Sequence, residues 1–205
     1  EEFEAAIQPN TTLFYLESPS SNIFRIQDLR AVAAVAKRDE IVTVIDNTWA
    51  TPLYQNPLDL GIDYVVHSAT KYLGGHSDII MGAVMGSQAH LDRIRNGERA
   101  YWGSVPDPFS AWLMTRSLRT LEVRMRCHSE NAAAVARYLE TNNRVKKVYY
   151  PGLPSHEGYQ TALSQMRGFS GLMSFILDAD EERSMRFVKK LEGFEEGPSW
   201  GGFES

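Results

Sequence analysis

The residues with the clearest chemical potential lie in the segment VVHSATKYLGGHSD, which covers 65–78. Lys71 follows an apolar run at the point where a strand would end, and two hydroxyl residues, Ser68 and Thr70, precede it. Lysine is rarely buried without a partner, so its amine either turns into solvent here or serves as a reagent. As a reagent, a lysine amine forms a Schiff base with an aldehyde or a ketone.

A carboxylate upstream of this lysine adds a second component of such chemistry. Asp46 ends the apolar run IVTVI, 25 positions before Lys71, and one strand–helix–strand unit fits into that interval. Both residues would then lie at the carboxyl ends of neighbouring parallel strands, where ligands bind in open α/β sheets. Pyridoxal phosphate (PLP) requires an amine for its aldehyde, an acid for its ring nitrogen and donors for its phosphate. Ser68 and Thr70 share one side of an extended segment and would supply phosphate donors.

Simpler explanations stay open for each of these residues when it is taken alone. Asp46 is also suited to capping a turn with Asn47. Ser68 and Thr70 are also suited to bonding backbone groups at a strand end, and Lys71 to solvation.

Three other interpretations have less support. His67 and His76 are nine positions apart, but no cysteine or nearby carboxylate completes a recognised metal pattern, so we expect no metal site. Cys127, the only cysteine, is a weak candidate for a nucleophile. A plain dinucleotide-binding protein is also disfavoured, because no G-x-G-x-x-G follows a strand.

The elements that must position the site alternate in the first half of the chain. Strand-like runs at 11–18, 40–48, 63–70 and 79–87 are separated by an amphipathic helix at 26–39 and a turn closed by Gly61. The nearly all-apolar strands are typical of a parallel sheet covered on both faces. This rhythm predicts an α/β fold with right-handed crossovers.

The second half has a different character. The pattern predicts a helix before the Pro-broken SVPDPF and a long helix over 110–142. Strands at 144–153 and 171–178 and a helix at 181–194 then give an α+β pattern. We predict a large domain over 1–125 and part of a smaller α+β domain over 126–205.

The composition restricts the class of protein. Of the 205 residues, 43% are hydrophobic and 23% are charged, and the net charge is −5. There is neither a basic block nor an apolar run of about 18 residues, so we expect no nucleic-acid and no membrane partner. A single cysteine favours a reducing compartment, and we predict a cytoplasmic protein. Both ends of the sequence lack a closing element, which suggests an internal piece of a longer chain.

The segment from the Asp46 strand end through Ser-x-Thr-Lys-Tyr-x-x-Gly-His-Ser-Asp at 68–78 closely resembles the Cys/Met-metabolism, or transsulfuration, family of PLP enzymes. LESPSS at 16–21, TRSLRTLEVRM at 115–125 and SWGGFES at 199–205 also resemble it, so that the similarity covers essentially the whole chain. It implies the fold type I architecture of PLP-dependent transferases, with a mostly parallel sheet in the large domain. It also implies PLP as the cofactor and a homotetramer that is a dimer of dimers.

The resemblance also implies roles for individual residues. Lys71 would hold the cofactor and act as general acid–base, and Asp46 would pair with the ring nitrogen. Ser68 and Thr70 would bind the phosphate. Ser199, Trp200 and Tyr101 would lie on the substrate side. Core packing is an alternative for Trp200, and it explains Tyr101 and its neighbour Trp102 at least as well. The phosphate loop, the ring-stacking tyrosine and the carboxylate-binding arginine of the family have no counterpart in this chain.

Two departures from the common family pattern favour one group of its members. Ser21 stands where many γ-acting members have a ring-contacting asparagine, and Trp49 stands where phenylalanine or tyrosine is frequent. Together with Trp200, these residues resemble cystathionine β-lyases, which release homocysteine, pyruvate and ammonia from cystathionine in methionine biosynthesis. The alternatives are a γ-acting relative (cystathionine γ-synthase, cystathionine γ-lyase or methionine γ-lyase) and a non-catalytic fragment.

Overall fold

The first sheet is built from the amino-terminal half of the chain, in a computed structural model that describes residues 2–194, 196–197 and 199–203. The elements that lead to it are α1 (Glu2–Ala5), β1 (Leu13–Glu17), α2 (Leu29–Arg38), β2 (Val42–Asp46), α3 (Thr51–Tyr54), a 3-10 helix (Pro57–Leu60), β3 (Tyr64–Ser68) and β4 (Gly82–Gly86). The strands form one sheet in the order β1-β2-β3-β4. The predicted alternation of strand and helix is therefore confirmed for this half.

Helix α2 shows how local sequence sets an element that supports the sheet. Asp28 begins it, because its Oδ1 accepts a hydrogen bond of 3.0 Å from the N–H of Ala31. Lys37 and Arg38 lie in its last turn, where the helix dipole favours positive charge. Its apolar stripe packs on one face of the sheet in a core that includes Leu16, Leu29, Val32, Ala36, Ile45 and Val65.

The last strand of this sheet differs from the expectation. Strands β1, β2 and β3 are parallel, but β4 pairs antiparallel with β3. The reason is the connection: 69–81 contains no helix that would return the chain to the other end of the sheet. Instead the N–H of Thr70 donates to the carbonyl of Met81 at 3.1 Å, which folds the chain directly back. The sheet is thus mostly parallel with one antiparallel edge.

The helical middle of the chain also differs from the prediction in one respect. After α4 (Gln88–Asn96) and α5 (Glu98–Trp102), the long predicted helix is two helices, α6 (Pro108–Leu118) and α7 (Leu121–Thr141). The break lies at Arg119 and Thr120, where the Thr120 hydroxyl donates to the carbonyl of Ser117 at 3.0 Å. A threonine side chain that bonds the preceding turn competes with helix continuation.

The remaining elements form a second, two-stranded sheet with its own apolar core. They are β5 (Val145–Tyr149), α8 (Tyr159–Gln165), β6 (Ser174–Leu177) and α9 (Glu181–Val188), and β5 pairs antiparallel with β6. This core joins residues of both halves, among them Trp49, Ala136, Tyr150 and Leu153. The predicted boundary between 1–125 and 126–205 falls inside α7, and this division stays a prediction. Within the described residues, the helices are too short or too polar for any of them to cross a membrane.

Candidate active site

Lys71 lies in the loop that follows β3, which we call the lysine loop (69–79). Its Nζ donates a hydrogen bond of 2.7 Å to the hydroxyl of Ser199 and stands 5.4 Å from the ring centroid of Trp200. Its carbonyl accepts a hydrogen bond of 2.7 Å from the N–H of Gly75, which closes a tight turn. The lysine is half-buried, so its amine is directed to a specific partner and is not merely solvated.

Asp46 ends β2, the strand next to β3, as the sequence predicted. In the parallel ladders it pairs with Glu17 of β1 and with Val66 of β3. Its Oδ1 accepts a hydrogen bond of 2.8 Å from the N–H of Thr48, so it caps the turn as the simpler explanation expected. Among the described residues Oδ2 accepts no hydrogen bond, so the carboxylate keeps an acceptor for a ligand.

Ser68 and Thr70 do not share one side of an extended segment, contrary to the expectation. The strand ends at Ser68, and the chain turns before Thr70. The Oγ1 of Thr70 accepts a hydrogen bond of 3.0 Å from the N–H of Met81. Thr70 is thereby drawn toward the β4 side of the turn, and only Ser68 of the two lines the cleft beside Lys71. A phosphate-binding role for Thr70 stays a prediction.

The segment 199–201 approaches the lysine loop from the carboxyl-terminal part of the chain. Gly201 makes this approach feasible: its φ is +91°, and a Cβ there would lie 2.8 Å from the Tyr72 nitrogen and 2.9 Å from the Lys71 carbonyl carbon. Trp200 packs edge-on against Tyr72, with ring centroids 5.1 Å apart. Ser199 and Trp200 therefore lie beside Lys71, as the family resemblance implied.

These residues surround one cleft with a volume of about 360 Å³. The predicted residues Asp46, Ser68, Lys71 and Trp200 all line it. Leu172, Met173 and Ser174 close one side, and the indole N–H of Trp49 holds that side by donating to the Leu172 carbonyl at 3.0 Å. The cleft thus joins an amine, a carboxylate and a hydroxyl at the carboxyl ends of two adjacent parallel strands.

Glu17 and Thr48 are polar residues that line the cleft and that sequence reasoning missed. The Oγ1 of Thr48 accepts a hydrogen bond of 2.8 Å from the N–H of Ser68 and so connects the two strand ends. Its position two residues after Asp46 was the available signal. Glu17 accepts hydrogen bonds from Ser21, 3.0 Å from the N–H and 2.9 Å from the hydroxyl. Glu17 pairs with Asp46 in the parallel register of β1 and β2, and the sequence alone did not give that register.

The remaining substrate-side candidate lies elsewhere. Tyr101 lies in the last turn of α5 and is 84% exposed, and Trp102, which ends α5, is 80% exposed. Neither lines the cleft. Tyr101 belongs instead to a group of exposed aromatic side chains on α5 and α6, which we call the aromatic face; it comprises Tyr101, Trp102, Phe109 and Trp112. The substrate role of Tyr101 stays a prediction.

The two histidines that were considered as metal ligands, His67 and His76, lie in different environments. His67 lies in the core with 3% exposure, and burial lowers its pKa to about 4, although the charge of Asp46 opposes part of this shift. The Nδ1 of His76 lies 2.8 Å from the Gly74 carbonyl and 3.3 Å from the Ser117 hydroxyl. Within the part of the chain that the structure describes, no three His, Cys, Asp or Glu residues form a group that could hold a metal ion.

The donor set of the cleft fits PLP. Lys71 offers an amine to the aldehyde, the acceptor of Asp46 suits a protonated ring nitrogen, and the Ser68 hydroxyl suits a phosphate oxygen. The segment 199–201 stays in contact with the lysine loop because Gly201 has no side chain; a Cβ there would meet the main chain of Lys71.

Comparisons with known proteins also indicate a PLP-dependent enzyme. The profile of the family described as "Cys/Met metabolism PLP-dependent enzyme" matches residues 1–205. A cystathionine beta-lyase of Lactococcus lactis subsp. cremoris is 42% identical over 205 residues, which are 100% of this chain and 54% of that protein. The crystal structure of cystathionine gamma-lyase from Lactobacillus plantarum complexed with L-serine has a TM-score of 0.93 and 39% identity, covering 98% of this chain and 53% of that one.

A third relative is named for a different reaction, that of a cystathionine gamma synthase. The crystal structure of cystathionine gamma synthase from Xanthomonas oryzae pv. oryzae in complex with cystathionine has a TM-score of 0.90 and 43% identity, covering 94% of this chain and 50% of that one. This chain spans about half the length of the curated relatives it matches. The relatives named for these three reactions are 39% to 43% identical to this chain, so their identities do not distinguish β-elimination from chemistry at the γ-carbon. They do confirm fold type I, and the chain belongs to the Cys/Met metabolism family of PLP-dependent enzymes.

Proposed function

We propose that this chain supplies the lysine-bearing part of the active site of a PLP-dependent carbon–sulfur lyase. The proposed reaction is β-elimination of cystathionine, which consumes one water and gives homocysteine, pyruvate and ammonia. The observation that carries the proposal is the cleft in which the Lys71 amine, bonded to Ser199 at 2.7 Å, lies at the strand end adjacent to that of Asp46. An amine and a carboxylate placed in this way are the two protein groups that PLP chemistry requires.

When bound, PLP supplies an aldehyde that links to amines and a protonated ring that accepts an electron pair. Lys71 is proposed to remove the proton from the substrate α-carbon and to return a proton to the departing sulfur. Asp46 is proposed to hold the proton on the ring nitrogen, because a carboxylate stabilises the adjacent cation. Ser68 would donate to the phosphate.

Two further residues are proposed to act on the substrate side. Ser199 would orient the Lys71 amine, to which it is already bonded, and would donate to the substrate carboxylate. Trp200, whose ring lies beside the same amine, would exclude water from the reacting atoms. Tyr101 is retained as a substrate-side candidate on the family resemblance alone.

Preference for β-elimination rests on two departures from the γ-acting pattern, at Ser21 and Trp49, together with the resemblance of Trp200 to cystathionine β-lyases. The contacts of Ser21 add support, because its N–H and hydroxyl both donate to Glu17. A hydroxyl engaged in this way differs from the asparagine that contacts the ring in many γ-acting members. Reaction at the γ-carbon is the second candidate, and the relatives with gamma-lyase and gamma-synthase names favour it.

The oligomeric state, the compartment and the substrate class are proposed from fewer observations. A homotetramer follows from the family resemblance, and the aromatic face, with exposures of 58% to 84%, is a suitable surface for self-association. A single free and exposed cysteine, Cys127, suits the cytoplasm. The substrate is a small sulfur amino acid, and the net charge of −5 gives no reason to add a nucleic-acid partner.

The experiment that tests this function identifies the keto acid released. The longest natural chain that contains this segment is mixed with PLP and cystathionine, and the product is separated by chromatography. Pyruvate is expected, whereas 2-oxobutyrate would assign the chain to the γ-acting members. Lys71→Ala is the control: it is expected to abolish both keto acid release and borohydride-stable labelling by PLP. A variant that kept either property would remove Lys71 from its proposed role.

A further inference from the structure

Arg124, near the start of α7, is a cation with unusual surroundings. Its Nη1 donates to the Tyr72 carbonyl at 2.7 Å, its Nη2 to the Ser117 carbonyl at 3.1 Å and its Nε to the Thr120 hydroxyl at 3.1 Å. The side chain is half-buried, and burial lowers its pKa. Among the described residues it forms no ion pair with a carboxylate. A partly desolvated charge held only by neutral acceptors is costly and calls for a structural reason.

The first of these acceptors belongs to the residue that follows Lys71. The lysine loop passes directly over the guanidinium, because a Cβ at Gly75 would lie 2.0 Å from Nη1 of Arg124. Gly75 has a φ of +68° and donates to the Lys71 carbonyl at 2.7 Å. Arg124 therefore contacts the main chain on both sides of the turn that carries the reactive amine.

The other two acceptors anchor the guanidinium to the junction of α6 and α7. Ser117 belongs to the last turn of α6, and Thr120 precedes α7. The planar guanidinium presents donors in a fixed fork, so one side chain joins this junction to the lysine loop in a defined orientation. A lysine would place a single nitrogen there and would not span both groups of acceptors.

We propose that Arg124 is a positioning residue that sets the main chain of the lysine loop and thereby the place of the Lys71 amine relative to Asp46. The inference rests on the proposed function, in which Lys71 moves the protons. Arg124 touches neither the cleft nor the reacting atoms, since it does not line the cavity. Its effect is transmitted through the main chain of the lysine loop, at the Tyr72 carbonyl and at Gly75.

This role predicts an effect on the chemical step that exceeds the effect on substrate binding. A displacement of a catalytic group by about 1 Å can lower a rate about 100-fold. We therefore expect Arg124→Gln to lower kcat by about 100-fold with a much smaller change in KM, and Arg124→Lys to fall between this variant and the wild type. The pH at which the visible absorbance of the bound cofactor changes should also shift, because Lys71 and Asp46 would no longer hold their relative positions.

The experiment uses the longest natural chain that contains this segment, loaded with PLP. Arg124→Gln, Arg124→Lys and the control Arg126→Gln are compared by kcat, KM, cofactor absorbance against pH and thermal unfolding. Arg126 lies on the same helix, is exposed and is two residues away, so it controls for loss of a positive charge. The expected result is a shifted absorbance titration and a lowered kcat at both Arg124 variants and neither change at Arg126→Gln.

Three results would overturn the inference. In the first, the Arg124 variants match Arg126→Gln in kcat and absorbance titration. In the second, their loss of activity equals the fraction of unfolded protein and the folded fraction behaves as wild type. In the third, KM rises while kcat is unchanged. A wild-type protein that showed no cofactor absorbance at all would instead contradict the proposed function, so the two failures are distinguishable.

Discussion

The cleft around Lys71 and the aromatic face of α5 and α6 contain similar kinds of side chain in opposite situations. In the cleft, Trp49 and Trp200 are each fixed, Trp49 by a hydrogen bond to Leu172 and Trp200 by its packing on Tyr72. On the aromatic face, Tyr101 is 84% exposed and Trp102 is 80% exposed. Separation in sequence therefore does not give separation in space, because Trp200 is 129 positions from Lys71 and lines the cleft, whereas Tyr101 is 30 positions away and does not. The contacts that order Trp49 and Trp200 lie within this chain, whereas the side chains of the aromatic face are exposed.

The largest expected effect separates two carboxylates that lie side by side in the cleft. Asp46→Asn should lower kcat/KM by about 100-fold, the size of the loss when one preorganised electrostatic group is removed. Glu17→Gln, one strand away in the same register, should lower kcat/KM by less than about fivefold, as for a partly exposed charge. Steady-state kinetics on the PLP-loaded protein would check both. Equal losses would mean that the cleft responds to total charge and not to the position of Asp46.

An intermediate effect concerns the approach of the carboxyl-terminal segment to the lysine loop. Gly201→Ala combines a φ of +91° with a Cβ only 2.8 Å from the Tyr72 nitrogen, whereas Gly193→Ala has a φ of +82° and no atom within 4 Å. Strained backbone of this kind costs roughly 1–3 kcal/mol, and the additional collision should place Gly201→Ala at the upper end. Urea unfolding would measure the free energy of unfolding of each variant. If the two glycines gave the same loss, the close contact at Lys71 would not contribute.

The smallest expected effect on the subunit itself concerns the aromatic face. Tyr101→Ala should change the free energy of unfolding of the subunit by less than about 0.5 kcal/mol, because exposed substitutions rarely do more. If this face mediates self-association, the variant should dissociate at a higher protein concentration than the wild type in analytical ultracentrifugation. Tyr138→Ala is a matched control, since Tyr138 is 67% exposed and lies in the last turn of α7. Identical dissociation of both variants and the wild type would exclude the aromatic face as the contact.

Features that depend on nearby residues were predictable from the sequence. Apolar runs ended by polar residues located β2 and β3, and the parallel register then brought Asp46 and Ser68 to one end of the sheet. Asp28 at the start of α2 is another such feature, because a cap requires only the next three residues.

Features that depend on chain reversal or distant contacts were not predictable in this way. The antiparallel direction of β4 follows from the pairing of Thr70 with Met81, eleven residues apart, and no periodicity reports such a turn. That same pairing withdrew Thr70 from the expected side of the strand. Ser199 and Trp200 were found through family resemblance, since a hydrogen bond between residues 128 positions apart leaves no local pattern.

That sequence separation between Lys71 and Ser199 has a consequence for the order in which the protein acquires its structure. Contacts of high separation close large loops and form late in folding. On a ribosome that adds about 5–20 residues per second, the chain from Lys71 to Ser199 needs on the order of ten seconds to be made. During that interval the strand ends and the lysine loop can already fold, while the wall formed by Ser199 and Trp200 does not yet exist. The order of synthesis therefore places completion of the cleft after assembly of the first sheet.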